Sequence, residues 1–209
     1  MRMSKTTAQS IHESVSKLAP GELFCTRHML HFGTRSSVDV SLWRLVRDGT
    51  LVRFARGVFA RPPNDEDQEP SPRAVAEMKA KAFGKTLVSD HADEAKELGL
   101  CTSRKKDIVF RVNGRSSQFL FNGKYIYLKA SSKRKLQLGD SSLGKVLRAL
   151  WFLGHETCEG SRPAIEAPLI KAAALTSRKI VAWIPSWLHK IVEEICPPAL
   201  PIVQIPITT

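Results

Sequence analysis

The apolar positions near the start of the chain recur at helical spacing, with Ile11, Val15 and Leu18 at i, i+4 and i+7 behind Thr6 or Thr7 as a cap. Pro20-Gly21 ends that helix, Phe24 marks a short strand, and Thr26 caps a brief helix over Arg27 to Phe32 closed by Gly33. The Gly33-Thr34 turn leads into a longer helix from about Arg35 to Asp48. Its Val38, Leu42, Leu45 and Val46 share one side, while Ser36, Val40, Trp43, Arg44 and Arg47 share the other. Gly49 stops it, and Leu51 to Arg61 reads as strand, tight turn around Ala55-Arg56-Gly57, and strand. Helix, short strand, helix, turn, helix and hairpin follow one another as in a winged helix-turn-helix, in which the N-terminal part of the second helix of the pair meets base edges.

Pro62 to Pro70 is polar, acidic and proline-rich, and the sequence places a linker there, over residues 63–70, between a first domain of residues 1–62 and a second of residues 71–209. Ser71-Pro72 opens a helix with Val75, Met78 and Ala82 as its stripe, and Asp90 to Leu98 predicts another. From Ile108 the period changes to two. Ile108 to Val112, Ser117 to Phe121 and Lys124 to Leu128 read as strands of a small antiparallel meander, turned by Asn113-Gly114 and Asn122-Gly123. Lys133-Arg134-Lys135 lies in a basic turn. Ser141 or Ser142 then caps a strong helix carrying Leu143, Val146, Leu147, Leu150 and Trp151. Helical patterning returns at Leu169 to Leu175, at Ser177 to Trp183 and after Ser186, with Pro168 and Pro185 expected to break or bound these helices. The tail from Cys196 has no period. The fold class is therefore α+β: a winged N-terminal domain followed by a mixed domain with a small meander and C-terminal helices.

Charge sharpens the picture. The formal net charge is +12, and residues 1–62 hold ten basic against four acidic side chains while the much longer remainder holds 22 against 16. A polyanionic partner follows, since Lys and Arg that neutralise phosphates release condensed counterions. Cys25, Cys101, Cys158 and Cys196 form no CxxC pair, which predicts free thiols and a cytoplasmic setting. No stretch approaches the roughly 18 uncharged apolar residues of a membrane span.

Candidate chemistry is sparse. Phosphate-loop, dinucleotide, zincin and serine-hydrolase motifs are missing. Cys25-x-x-His28-x-x-His31 places three ligand types on one side of a short helix, but a structural zinc takes a fourth, so no metal is expected. Asp90-His91-Ala92-Asp93-Glu94 combines an imidazole with carboxylates, yet acids in a first helical turn are favoured by the dipole alone, and no catalytic residue or cofactor is assigned. Trp151 reads as core, and Trp183 and Trp187 are open to either role.

The phrases ELFCTRHML, RSSVDVSLWRLVRDGTLVRFARGVFARP and ELGLCTSRKKDIVFRVNG together resemble the AbiEi-like antitoxins of type IV toxin-antitoxin systems. In that family a winged N-terminal domain has a helix ending in RLVRxG and a wing reading RGVY with a following proline; here Arg44 to Gly49 and Arg56 to Phe59 stand in those places. The resemblance implies an autorepressor that binds inverted repeats in its own promoter, as monomer or dimer, and counteracts a nucleotidyltransferase-like toxin encoded nearby. On that basis Arg35, Ser36, Ser37, Val40 and Arg44 are expected to face bases, and Arg47, Arg53, Arg56 and Arg61 to hold phosphate or groove. Two other outcomes stay open: a solitary regulator whose C-terminal part dimerises or senses a ligand, and an enzyme using the Asp90 to Glu94 cluster.

Overall fold

In the computed structural model, which describes residues 5–64, 69–102, 107–174 and 184–196, the chain is α+β and divides into two compact units. The first takes residues 1–86 and 117–128, the second residues 87–116 and 129–209.

In the first unit, α1 (Thr7–Ser16) begins with a reciprocal capping box between Thr6 and Gln9. Strand β1 (Leu23–Cys25) runs into a 3-10 helix, Thr26–Phe32, whose N-cap is Cys25; Thr26, expected as the cap, lies inside the element. Helix α2 (Arg35–Arg47) is capped by the Thr34 hydroxyl and ends with Gly49 at φ +74°. Strands β2 (Val52–Ala55) and β3 (Val58–Ala60) close around Arg56 and Gly57, the latter at φ +79°, where an L side chain would be strained. β3 is central, pairing antiparallel with β1 on one side and with β2 on the other across an irregularity between Arg53 and Ala55. Ile11, Val15, Phe24, Met29, Val38, Leu42, Leu51 and Phe59 form one core, with the Phe24 and Phe59 rings stacked at 5.8 Å.

Two further elements complete this unit and move its boundary. Helix α3 (Pro72–Ala82) packs against all three strands through Val75, Ala76 and Ala80, so the chain beyond residues 63–70 continues the N-terminal unit rather than starting the next. An apolar helical face that finds a sheet to cover outweighs the proline-rich composition before it. Hairpin β6 (Ser117–Phe121) and β7 (Lys124–Ala130) returns to the same unit over residues 117–128, with Phe121 5.8 Å from Phe54 of β2.

In the second unit β4 (Leu87–Ser89), too short for its period to register, pairs antiparallel with β5 (Ile108–Val112). The three expected strands are all present, but β6 pairs with β7 and β5 takes β4 as a partner, so they do not succeed one another as a simple meander. Helix α4 (His91–Glu97) lies against α6 (Ser142–Leu153), which Ser141 caps. The basic segment expected as a turn forms α5 (Lys133–Gln137) behind the Ser132 cap. α7 (His155–Gly160), α8 (Arg162–Ala174) and α9 (Ser186–Ile195) enclose a core with α6 built on Leu143, Leu147, Leu150, Ile165, Leu169, Leu188 and Val192. Pro168 lies inside α8 rather than at its edge, whereas Pro185 is the N-cap of α9. A helix tolerates an internal proline where buried neighbours on either side, here Ile165 and Leu169, hold it in place. The predicted helix at Ser177 to Trp183 and the tail beyond Cys196 lie outside the described residues. Among the described residues no helix is long and apolar enough to cross a membrane.

Candidate nucleic-acid interface

The surface offered by α2 and the hairpin follows from which side of each element is used for packing. Val38, Ser41 and Leu42 are buried, which turns Ser36, Val40, Arg44 and Arg47 outward, together with Trp43, 55 % exposed. A large apolar ring left in solvent on a helix that has a core to pack against is informative, because tryptophan is highly buried on average. The Arg47 guanidinium lies 5.2 Å over the Trp43 ring and its Nε is 3.2 Å from Asp48 Oδ1.

The expected contact residues divide by what already occupies them. Arg44 and Arg56 are exposed and have no ion-pair partner among the described residues; Arg53 makes only a 3.5 Å contact to the Ala55 carbonyl. Arg35 donates to Asp39 at 2.8 Å in an exposed i, i+4 pair, worth little and readily exchanged for a stronger anion. Ser36 is free on the surface, but Ser37 is drawn into the start of α2, where its hydroxyl donates to the Thr34 carbonyl at 2.9 Å. Arg61 is engaged elsewhere. Its Nη1 donates to the Leu18 carbonyl at 2.8 Å and the Ser16 carbonyl at 3.4 Å, satisfying the C-terminal end of α1. Seven of the nine expected residues thus share the α2 and hairpin surface as available groups, while Ser37 and Arg61 have structural duties.

Between α2 and the hairpin lies a cleft of about 260 Å³, bordered by Arg35, Asp39, Trp43, Arg53 and Arg56, with Thr26 also among its lining residues. Thr26 is 2 % exposed, and among the described residues its hydroxyl has no hydrogen-bond partner. Lys79 of α3 adds to the field. Burial first, then the Arg56, Arg53 and Lys85 cations, push its ammonium below the ordinary lysine range, and the side chain rests 5.3 Å over both the Phe83 and Phe119 rings. Neither Thr26 as a lining group nor Lys79 announced itself in the sequence, since both depend on distant segments meeting; the Arg35–Asp39 pair was not read there either, and its i, i+4 spacing is the signal that could have found it.

The other two clusters also take definite form. Cys25 is buried in the first unit's core and the His31 ring lies 3.8 Å from Phe32; among the described residues no three His, Cys, Asp or Glu side chains are arranged to hold a metal ion. Asp90, His91 and Glu94 are all buried. Glu94 receives Arg148 Nε at 3.0 and 3.1 Å and its Nη2 as well, Asp90 receives Arg111, and Ser131 Oγ lies 3.1 Å from His91 Nε2. His91 Nδ1 sits 3.5 Å from Glu94 Oε2 without hydrogen-bond geometry. The serine, imidazole and carboxylate follow the order of a proton relay, but the carboxylate is committed to a guanidinium, which leaves it a poor partner for an imidazolium. Arg148, placed on the buried side of α6, is the member that helical periodicity concealed.

A family model described as Family of unknown function (DUF6088) matches residues 10–173, and the chain belongs to that family. No curated protein and no solved structure gives a match.

Proposed function

We propose that this DUF6088 member is a non-enzymatic DNA-binding protein whose N-terminal unit acts as a winged helix-turn-helix, with α2 in the major groove and the β2–β3 hairpin as its wing. The observation that carries it is the coincidence on one surface of an outward face of α2, holding Ser36, Val40, Trp43 and Arg44, with Arg53 and Arg56 of the hairpin, cations that no acid among the described residues neutralises. Ser36, Val40 and Arg44 read base edges, Arg35 joins them by exchanging Asp39, and Arg47, Arg53 and Arg56 hold phosphates. The resemblance to AbiEi-like antitoxins extends this to a cytoplasmic autorepressor of a type IV toxin-antitoxin system, binding promoter inverted repeats and opposing a nucleotidyltransferase-like toxin.

One observation favours a second reading, a solitary regulator that senses a ligand. The second unit holds a cleft of about 500 Å³ whose lining includes Leu98, Val146, Pro168 and Ala172 together with Glu97, Lys145 and Lys171. A mostly apolar concavity with a few polar groups is the usual form of a small-molecule site.

Gel shifts at fixed ionic strength, with the gene's own upstream region and a scrambled duplex, test the DNA reading. Arg44→Ala is expected to lose about 1–3 kcal/mol on the specific duplex and far less on the scrambled one, whereas Arg56→Ala weakens both alike and lowers the salt slope by about 1. Equal losses on both duplexes from both substitutions refute the division of roles, and no binding at about 50 mM salt refutes the function. Growth rescue on co-expression with an adjacent nucleotidyltransferase-like gene separates the antitoxin from the solitary regulator.

A further inference from the structure

The cleft between α2 and the hairpin has properties that a duplex-binding surface does not require. Thr26 among its lining residues is 2 % exposed, and its hydroxyl has no hydrogen-bond partner among the described residues, although a buried polar group normally finds a partner because leaving one unmade forfeits its hydration. The same cleft is lined by Arg53 and Arg56, and by Arg35, which is tied to Asp39, the one acid among its described lining residues. Burial first, and the Arg56 and Arg53 cations after it, push the Lys79 ammonium down, and it has no ion-pair partner among the described residues. Hydroxyl donor and guanidinium forks at a concavity, in a neighbourhood with surplus positive charge, suit a tetrahedral oxyanion.

We infer that this cleft is a binding site for a terminal phosphate group, with the Thr26 hydroxyl donating to one oxygen and the Arg53 and Arg56 guanidiniums to the others. A free phosphomonoester and a DNA backbone both offer phosphate oxygens. The depth of Thr26 favours the free ester, because a phosphomonoester enters end-on with three oxygens while a backbone phosphodiester is flanked by sugar on both sides. The site stands whether or not the same face takes DNA. Where it does, occupancy withdraws Arg53 and Arg56 from the duplex, a consequence that rests on the DNA reading.

The test is calorimetric titration of the full chain with inorganic phosphate and with adenosine 5′-monophosphate, against adenosine and chloride at constant ionic strength. Wild type is expected to bind both phosphates saturably and adenosine not at all. Thr26→Val weakens them at least about 10-fold, the worth of one hydrogen bond to a charged group, while the melting temperature rises because an unpaired buried hydroxyl has been removed. Arg53→Ala weakens them as well. A structural threonine gives the stability change without the affinity change, and that result overturns the proposal, as does the lack of saturable phosphate binding. If Thr26→Val instead weakens duplex binding while free phosphate binds nowhere, the hydroxyl serves the DNA backbone and the free-ester site is wrong. Duplex binding by a protein that ignores phosphate leaves the DNA reading standing alone; the converse leaves the phosphate site alone.

Discussion

Removing the Glu94 carboxylate while leaving Arg148 in place tests the central polar joint of the second unit. Arg148 and Glu94 are 0 % and 1 % exposed, and the guanidinium meets both carboxylate oxygens through Nε and Nη2 while Nη1 reaches the Gly139 carbonyl. Glu94→Ala leaves the guanidinium buried with no carboxylate at hydrogen-bonding distance among the described residues, Asp140 being 3.8 Å away and half exposed. The expected loss is about 3–5 kcal/mol, a large share of the roughly 5–15 kcal/mol that a domain has in total. Because one solvent-free ion pair gives back in attraction about what its desolvation costs, Glu94→Leu with Arg148→Met should recover most of that loss. Urea unfolding followed by near-UV circular dichroism on both variants measures this. A loss under about 1 kcal/mol for the single substitution, or a double variant as unstable as the single one, refutes the view that α4 is locked to α6 by this pair.

Two other outcomes follow from packing and charge. Gly144 of α6 has no room for a methyl group: a Cβ there would lie 2.1 Å from the Leu138 carbonyl oxygen and 2.8 Å from that of Gly139, so Gly144→Ala should destabilise at or above the top of the usual overpacking range of about 1–3 kcal/mol despite better helix propensity; a neutral or stabilised variant in urea refutes it. Lys79→Met should stabilise the protein at pH 7, because folding holds that ammonium at a lowered pKa. The unfolded chain then binds more protons as pH climbs from the depressed value toward the ordinary lysine value, so wild-type stability rises across that window and the advantage of the variant shrinks. Melting curves from pH 7 to about 10.5 that show a constant difference contradict this account.

What the sequence discloses, and what it withholds, divides along the same physical line. α1, α2 and the β2–β3 hairpin were legible because Thr6, Thr34, Gly49 and Gly57 act locally, through caps and positive φ, and because Val38 and Leu42 repeat at the helical period. The assignment of α3 to the first unit was not, since it depends on which sheet Val75, Ala76 and Ala80 find, and the proline-rich stretch before it looks the same either way. Pro168 carries a strong local rule that neighbouring packing overrides. At the candidate interface the outward face of α2 could be read from periodicity, whereas Ser37 and Arg61 have their hydrogen bonds taken up by Thr34 and by the end of α1. Thr26 and Lys79 enter only once residues far apart in the chain converge.

The first unit is discontinuous, drawing on residues 1–86 and again on residues 117–128. A nascent chain therefore lacks its last hairpin until residue 128 has cleared the ribosome, after some thirty intervening residues of the other unit have already emerged. At a synthesis rate of about 5–20 residues per second, Phe54 waits seconds for Phe121. A gene fragment cut at the proline-rich stretch would release the α2 and β2–β3 surface stripped of both α3 and that hairpin, so functional dissection of this protein is better done by substitution than by truncation.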